Sequence, residues 1–250
     1  MADSALEAIP RVLQALRTGR KTRVLGAEGG YRGLLLAKAL ADPQAEGPLF
    51  YITPDEPTAR QLVDDVAFFA GAGDASAILL VPELEVSPYG DVSPDPRSVG
   101  ARLAALERLR AGEASLVIAS LRSVLRKTIA PPAFAKLCER WEVGTELERD
   151  RAIALLIRAG YGRTDVVGDP GTFAVRGGIM DVWVPIERFP ARLEWFGDEI
   201  ERIRVFDPDT QRSLREVEGL RVHPVRETIA TLGRDLRSAV LELGDHVEVP

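Results

Sequence analysis

The chain has a single cysteine, Cys138, two histidines, His223 and His246, and lysine only at Lys21, Lys38, Lys127 and Lys136. One cysteine excludes an internal disulfide, fits a reducing compartment, and is expected to act as a small buried hydrophobe. Neither histidine has neighbours at metal-ligand spacing or lies near Cys138 in sequence, so the chain is expected to carry no metal centre and no cofactor. There is no run of about 18 apolar residues and no charged-then-apolar leader after Met1, which makes the cytoplasm the expected location and a membrane an unexpected partner. Blocks of basic residues are also missing. The net charge of −6 and a pI near 5.2 describe a surface that on average repels a phosphate backbone, which disfavours an independent nucleic-acid binder.

A complete phosphate-binding loop is missing too. The stretch Gly26-Ala-Glu-Gly-Gly-Tyr-Arg-Gly33 stands where such a loop belongs, between the strand-like triplet Arg23 to Leu25 and a helix. A Walker A motif begun at Gly26 requires Gly, Lys and Ser or Thr where this chain has Tyr31, Arg32 and Gly33. The magnesium-holding hydroxyl is absent, and arginine is no simple substitute for the compact lysine ammonium. Gly26, Gly29, Gly30 and Arg32 therefore form a degenerate phosphate loop, whose backbone N–H groups retain at most a weak hold on an anion. No nucleotide hydrolysis is expected. A divergent P-loop NTPase or helicase half, and a direct DNA-binding module, are the alternative readings.

What is present is ordinary globular material: 250 residues, 46% hydrophobic and 28% charged, enough for two domains. Up to residue 130, strand and helix alternate. Apolar runs at 23–25, 49–53, 77–81 and 116–119 read as strands, and 34–41, 58–70, 98–110 and 120–126 as helices, behind a first amphipathic helix through Leu6, Ile9, Leu13 and Leu16. That order predicts an α/β domain, a doubly wound and mainly parallel P-loop-like layer. The Pro-rich stretch 83–97 is a loop, in which Tyr89 is either packing or a base-stacking residue. Ala130-Pro131-Pro132 marks a boundary, and 131–214 reads as a smaller α+β domain on an antiparallel sheet, with a helix over 146–159. From 215 a further unit begins, with a strand over 216–225 and a helix over 234–243, and it looks unfinished at Pro250.

The most ordered pattern lies between Gly171 and Ser213. Strands are expected at 172–176, 180–184, 191–196 and 199–206, the last two joined at Gly197-Asp198 by a tight type I′ or II′ turn. On the third strand Leu193 and Trp195 share one face, while Arg192, Glu194 and Phe196 share the other. If the tryptophan face is the core, Arg192 and Phe196 form either the centre of a docking surface or the cover of a second small core, with Arg192 paired to Glu194. On the docking reading, removal of Arg192 leaves folding intact. Asp181, inside an apolar strand, is either an acid of raised pKa or an acceptor of hydrogen bonds from a turn.

The runs FAVRGGIMDVWVP and RLEWFGDEIERIRVFDPDTQRS in this stretch resemble the N-terminal UvrB-homology region of bacterial transcription-repair coupling factors. The resemblance extends over almost the whole chain, weakly before residue 80 and strongly after 150. It implies a UvrB-like arrangement of three parts and docking of the UvrA repair protein, with Arg176, Arg192 and Phe196 at the positions of the family's contact motifs. It also implies that the working ATPase, and the contacts to RNA polymerase and double-stranded DNA, belong to other domains. The resemblance further implies a C-terminal domain that masks the docking face until polymerase is engaged. The stretch 83–97 is too short for the DNA-clamping hairpin of UvrB itself, a departure that favours the coupling-factor branch.

Overall fold

A computed structural model describes residues 5–44, 47–71, 75–84 and 94–227. The chain divides into two units, Met1–Ser87 with Arg108–Lys127, and Pro88–Glu107 with Thr128–Pro250. Both mix helix and sheet, so the α/β class expected from the sequence holds. The helix expected at 234–243, Tyr89 and most of the loop around it lie outside the described residues.

In chain order the elements up to the boundary are α1 (Ala5–Arg17), α2 (Gly30–Leu40), β1 (Leu49–Thr53), α3 (Glu56–Ala70), β2 (Ile78–Val81), α4 (Pro96–Arg110), β3 (Leu116–Ser120) and α5 (Leu121–Leu125). The strands make a three-stranded parallel sheet ordered β1-β3-β2. Its central strand, Leu-Val-Ile-Ala-Ser, is buried at every position, as an unbroken apolar run covered on both faces should be. Leu36, Leu62 and Val66 from α2 and α3 pack on Ile78, Leu116 and Ile118. Asp55 starts α3 by accepting a hydrogen bond from the Thr58 N–H at 2.8 Å.

Two expectations for this unit change. Residues 23–25 are irregular rather than a strand: no described strand runs beside them, and without a ladder partner Leu25 stays 80% exposed. The helix after the glycine loop starts at Gly30 instead of Leu34, which makes Tyr31, Arg32 and Gly33 helical.

The remaining elements are α6 (Pro131–Ala135), β4 (Glu139–Glu142), α7 (Arg149–Arg158), β5 (Gly162–Arg163), β6 (Thr172–Arg176), β7 (Ile179–Val182), β8 (Ala191–Phe196), β9 (Glu199–Phe206), β10 (Ser213–Glu216) and β11 (Gly219–Val222). A six-stranded sheet runs in the order β10-β9-β8-β7-β6-β5, antiparallel throughout except for the β5–β6 pair. Trp141, Leu155, Leu156, Phe173, Met180, Leu193 and Ile203 form its main core with α7. At the β8–β9 turn Gly197 has φ +62° and Asp198 is not in the left-handed region, which selects type II′ from the two expected forms.

The segment expected to return towards the first layer does not leave this unit. β11 pairs antiparallel with β4, and the expected boundary at 214 falls inside β10. The sequence places the whole of α4 in the first domain, yet its first turns group with the second unit. The reason is local contact. A Cβ on Gly100 would sit 2.4 Å from Pro185, Arg97 lies 5.9 Å over the Trp183 ring, and Arg102 reaches Glu227 at 2.8 Å.

Behind these contacts His223 is fully buried. Its Nδ1 lies 2.8 Å from the Pro224 carbonyl oxygen, which makes Nδ1 the protonated nitrogen, and among the described residues its Nε2 has no hydrogen-bond partner. Burial lowers its pKa below the ordinary 6.5, so the folded state keeps the ring neutral where the unfolded chain takes up a proton. The stabilising effect is therefore complete above the unfolded value and is lost as pH falls below it, with a slope approaching about 1.4 kcal/mol per pH unit. Urea unfolding at stepped pH should show this loss below pH ~6.5 in the wild type, and His223→Gln should lack that component of the slope.

Candidate protein-docking face on the six-stranded sheet

The face is organised by a carboxylate. Phe173 and Val175 of β6, Met180 and Val182 of β7, and Ala191 and Leu193 of β8 point into or pack against the main core. Alternation then sends Ala174, Arg176, Ile179, Asp181, Arg192, Glu194 and Phe196 to the opposite side. The register places Ala174, Asp181, Arg192 and Arg204 in one cross-strand row, and Arg176, Ile179, Glu194 and Arg202 in the next. The β8–β9 register shift leaves Glu201 unpaired on β9, so parity along β8 continues unbroken to Phe196.

Asp181 is only 1% exposed and is held by two arginines. Arg192 grips it with both prongs, Nε donating to Oδ1 at 2.7 Å and Nη2 to Oδ2 at 2.9 Å, while Arg176 Nη2 donates to Oδ2 at 3.1 Å. The paired carboxylate raises the pKa of Arg192 above its ordinary value. Beneath Arg192 the Phe206 ring lies 4.5 Å from the guanidinium carbon. Gln211, held at φ +59°, approaches Arg192 Nη2 at 3.4 Å and anchors its own amide on the Pro208 carbonyl at 2.7 Å. That turn is fixed by Asp207, whose carboxylate accepts from the Thr210 N–H, the Asp209 N–H and the Thr210 hydroxyl. The backbone bond from Thr210 is the leading cause that holds the Asp207 carboxyl below its usual pKa.

The three expected contact residues thus share one side of one sheet but differ in surroundings. Arg192 is 19% exposed, Arg176 54% and Phe196 79%. The Arg192–Glu194 pair of the alternative reading does not form: Glu194 pairs with Arg204, and Arg192 with Asp181. Asp181 accepts from arginines rather than from a turn. A second small core exists on this side, made of Val167, Ala174, Trp183 and Phe206, and Phe196 is not part of it. Sequence reasoning missed Asp181 as the organiser, although the two-residue turn at Gly177-Gly178 fixes the register that puts it opposite Ala174. Chemically, Arg176 spends one donor on Asp181 and keeps the rest of its fork for solvent, on the same side of the sheet as the exposed Phe196 ring.

Gly26, Gly29, Gly30 and Arg32 belong to the first unit. Gly26 and Gly29 have φ of +75° and +54°, and Gly29 caps α2 without any side-chain hydrogen bond. A Cβ on Gly33 would meet the Asp65 Cβ at 2.6 Å and its backbone carbon at 2.9 Å, because α3 crosses there.

Residues 140–227, which contain this face, match the family model of the UvrB interaction domain. The chain is 37% identical over 246 residues to the transcription-repair-coupling factor of Myxococcus xanthus, covering 96% of the chain and 20% of that protein. The chain is homologous to part of a transcription-repair-coupling factor. The corresponding factor of Bacillus subtilis is 31% identical over 87% of the chain. The UvrABC system protein B of Thermosipho africanus is 26% identical over 97%. Against the coupling factors the chain spans about a fifth of their length, 20% and 18% in the first two. The resemblance stated from the two sequence runs is borne out. Among the described residues no helix is long and apolar enough to cross a membrane.

Proposed function

We propose that this chain is a docking module of a transcription-repair coupling factor, which brings the UvrA nucleotide-excision-repair protein to a stalled transcription complex and performs no catalysis itself. The observation that carries the reading is the Asp181-anchored pair Arg176 and Arg192 on the same side of the sheet as the exposed Phe196, inside the segment that matches the UvrB interaction domain. Arg176 supplies a planar donor for a carboxylate of the partner, and Phe196 an anchor that loses water on contact. In the parent protein, RNA polymerase and double-stranded DNA are contacted by other domains, and the compartment is the cytoplasm. Binding of purified UvrA to the chain, measured with and without substitutions on the face, is the direct test.

In this proposal the first unit is a doubly wound, P-loop-like layer that has lost its nucleotide. Gly33 supports that view: a serine or threonine in its place, as magnesium binding requires, would press its Cβ into the α3 backbone. The chain should therefore show no magnesium-dependent ATPase activity and no rise in melting temperature with ATP. Turnover that disappears in Arg32→Ala would overturn this part of the proposal.

A further inference from the structure

On the core side of the same sheet, at its β6 edge, α7 and the strand enclose an open groove of about 540 Å³. β5 has only two residues and pairs with β6 no further than Phe173, so beyond that point the edge at Val175 faces the groove. Asp150, Ile153, Ala154 and Ile157 line it from α7, with Val175 as the apolar residue of β6 and Arg149 and Arg163 as the basic residues of the lining. Ile157 is 56% exposed although it belongs to an amphipathic helix. The Arg163 side chain has no hydrogen-bond or ion-pair partner among the described residues. Arg149 donates to the carbonyl oxygen of Gly177, the residue next to Arg176. Two cations against one acid give the groove a positive balance over an aliphatic floor. It is also continuous, through Val175-Arg176-Gly177, with the face assigned above to docking.

We infer that the partner's footprint does not stop at Arg176. It turns round the β6–β7 hairpin and lays an extended segment, carrying a carboxylate beside an aliphatic side chain, into the α7–β6 groove. The carboxylate meets Arg163, and the aliphatic side chain lies on Ile153, Ile157 and Val175. This rests on the reading of UvrA as the partner on the Arg176 face. Gripping the hairpin from both sides opposes sliding along the flat sheet, which one face alone does not do.

Purified UvrA is titrated against wild type, Arg163→Glu, Ile157→Asp and Arg176→Ala, with melting temperatures recorded for each. Arg163→Glu should weaken binding by about tenfold at low salt and less at high salt, as a charge at the edge of an interface does. Ile157→Asp should weaken it at all salt concentrations. Arg163 is exposed, so its variant stays folded even if Ile157→Asp does not. If both groove variants bind as wild type while Arg176→Ala is impaired, the groove inference fails and the docking face stands. If wild type itself does not bind, or if all the variants bind equally, both fall.

Discussion

Arg192→Ala should cost the second unit about 3 kcal/mol or more of stability, because it leaves Asp181 buried with a single hydrogen bond from Arg176. Truncation removes two charge-assisted bonds, at 2.7 and 2.9 Å, together with the guanidinium stacked on Phe206. This reverses the expectation that an exposed arginine leaves the fold unharmed when removed. Arg192 is mostly covered, and its counter-charge is almost wholly out of water. Asp181→Ala should cost less, since Arg176 and the edge of Arg192 still reach solvent. In the double variant Asp181→Leu with Arg192→Leu, the charge that needs a partner is gone, so much of the loss should be recovered. Urea unfolding monitored by tryptophan fluorescence checks all three. An Arg192→Ala protein as stable as wild type would mean that the Asp181 pair contributes little to the fold.

The sheet was legible because its turns are written in glycine and its strands in alternation. Gly197-Asp198 announces one hairpin, the glycines at 177 and 178 only end a strand, and Leu193 with Trp195 identifies the core face of β8. The same parity puts Arg192 and Phe196 together on the side of β8 opposite the core. What stayed hidden depends on contacts between distant segments. The loop between β7 and β8 does not fix a register, so the identity of the residue facing Arg192 could not be read, and Glu194, its near neighbour in sequence, took the place of Asp181. Residues 23–25 failed for the converse reason: a short apolar run is a strand only where another strand pairs with it. The grouping of α4 turned on Gly100 against Pro185, a close approach that leaves no trace in helical periodicity. The apolar run 116–119 carries its explanation locally and lies in β3 as expected, whereas α3 begins two residues before the expected Thr58, at a cap on Asp55 that hydrophobic periodicity does not show.

Phe196→Ala should weaken UvrA binding by roughly 30-fold, equivalent to about 2 kcal/mol, without changing the melting temperature. The ring is 79% exposed, so truncation opens no cavity in the protein and forfeits only what the partner would have covered. Arg176→Ala should behave in the same way. It gives up one bond of 3.1 Å to Asp181, while the bidentate grip of Arg192 stays in place and the buried carboxylate remains paired. These two variants therefore probe recognition with the architecture held constant, which Arg192→Ala does not. The distinction is measurable: binding lost through Arg192 should track the unfolded fraction and recover at low temperature, whereas binding lost through Phe196 or Arg176 should persist in fully folded protein. Should Phe196→Ala and Arg176→Ala bind UvrA as wild type does, the arginine pair on Asp181 is a structural clamp only, and the partner meets the chain on a different surface.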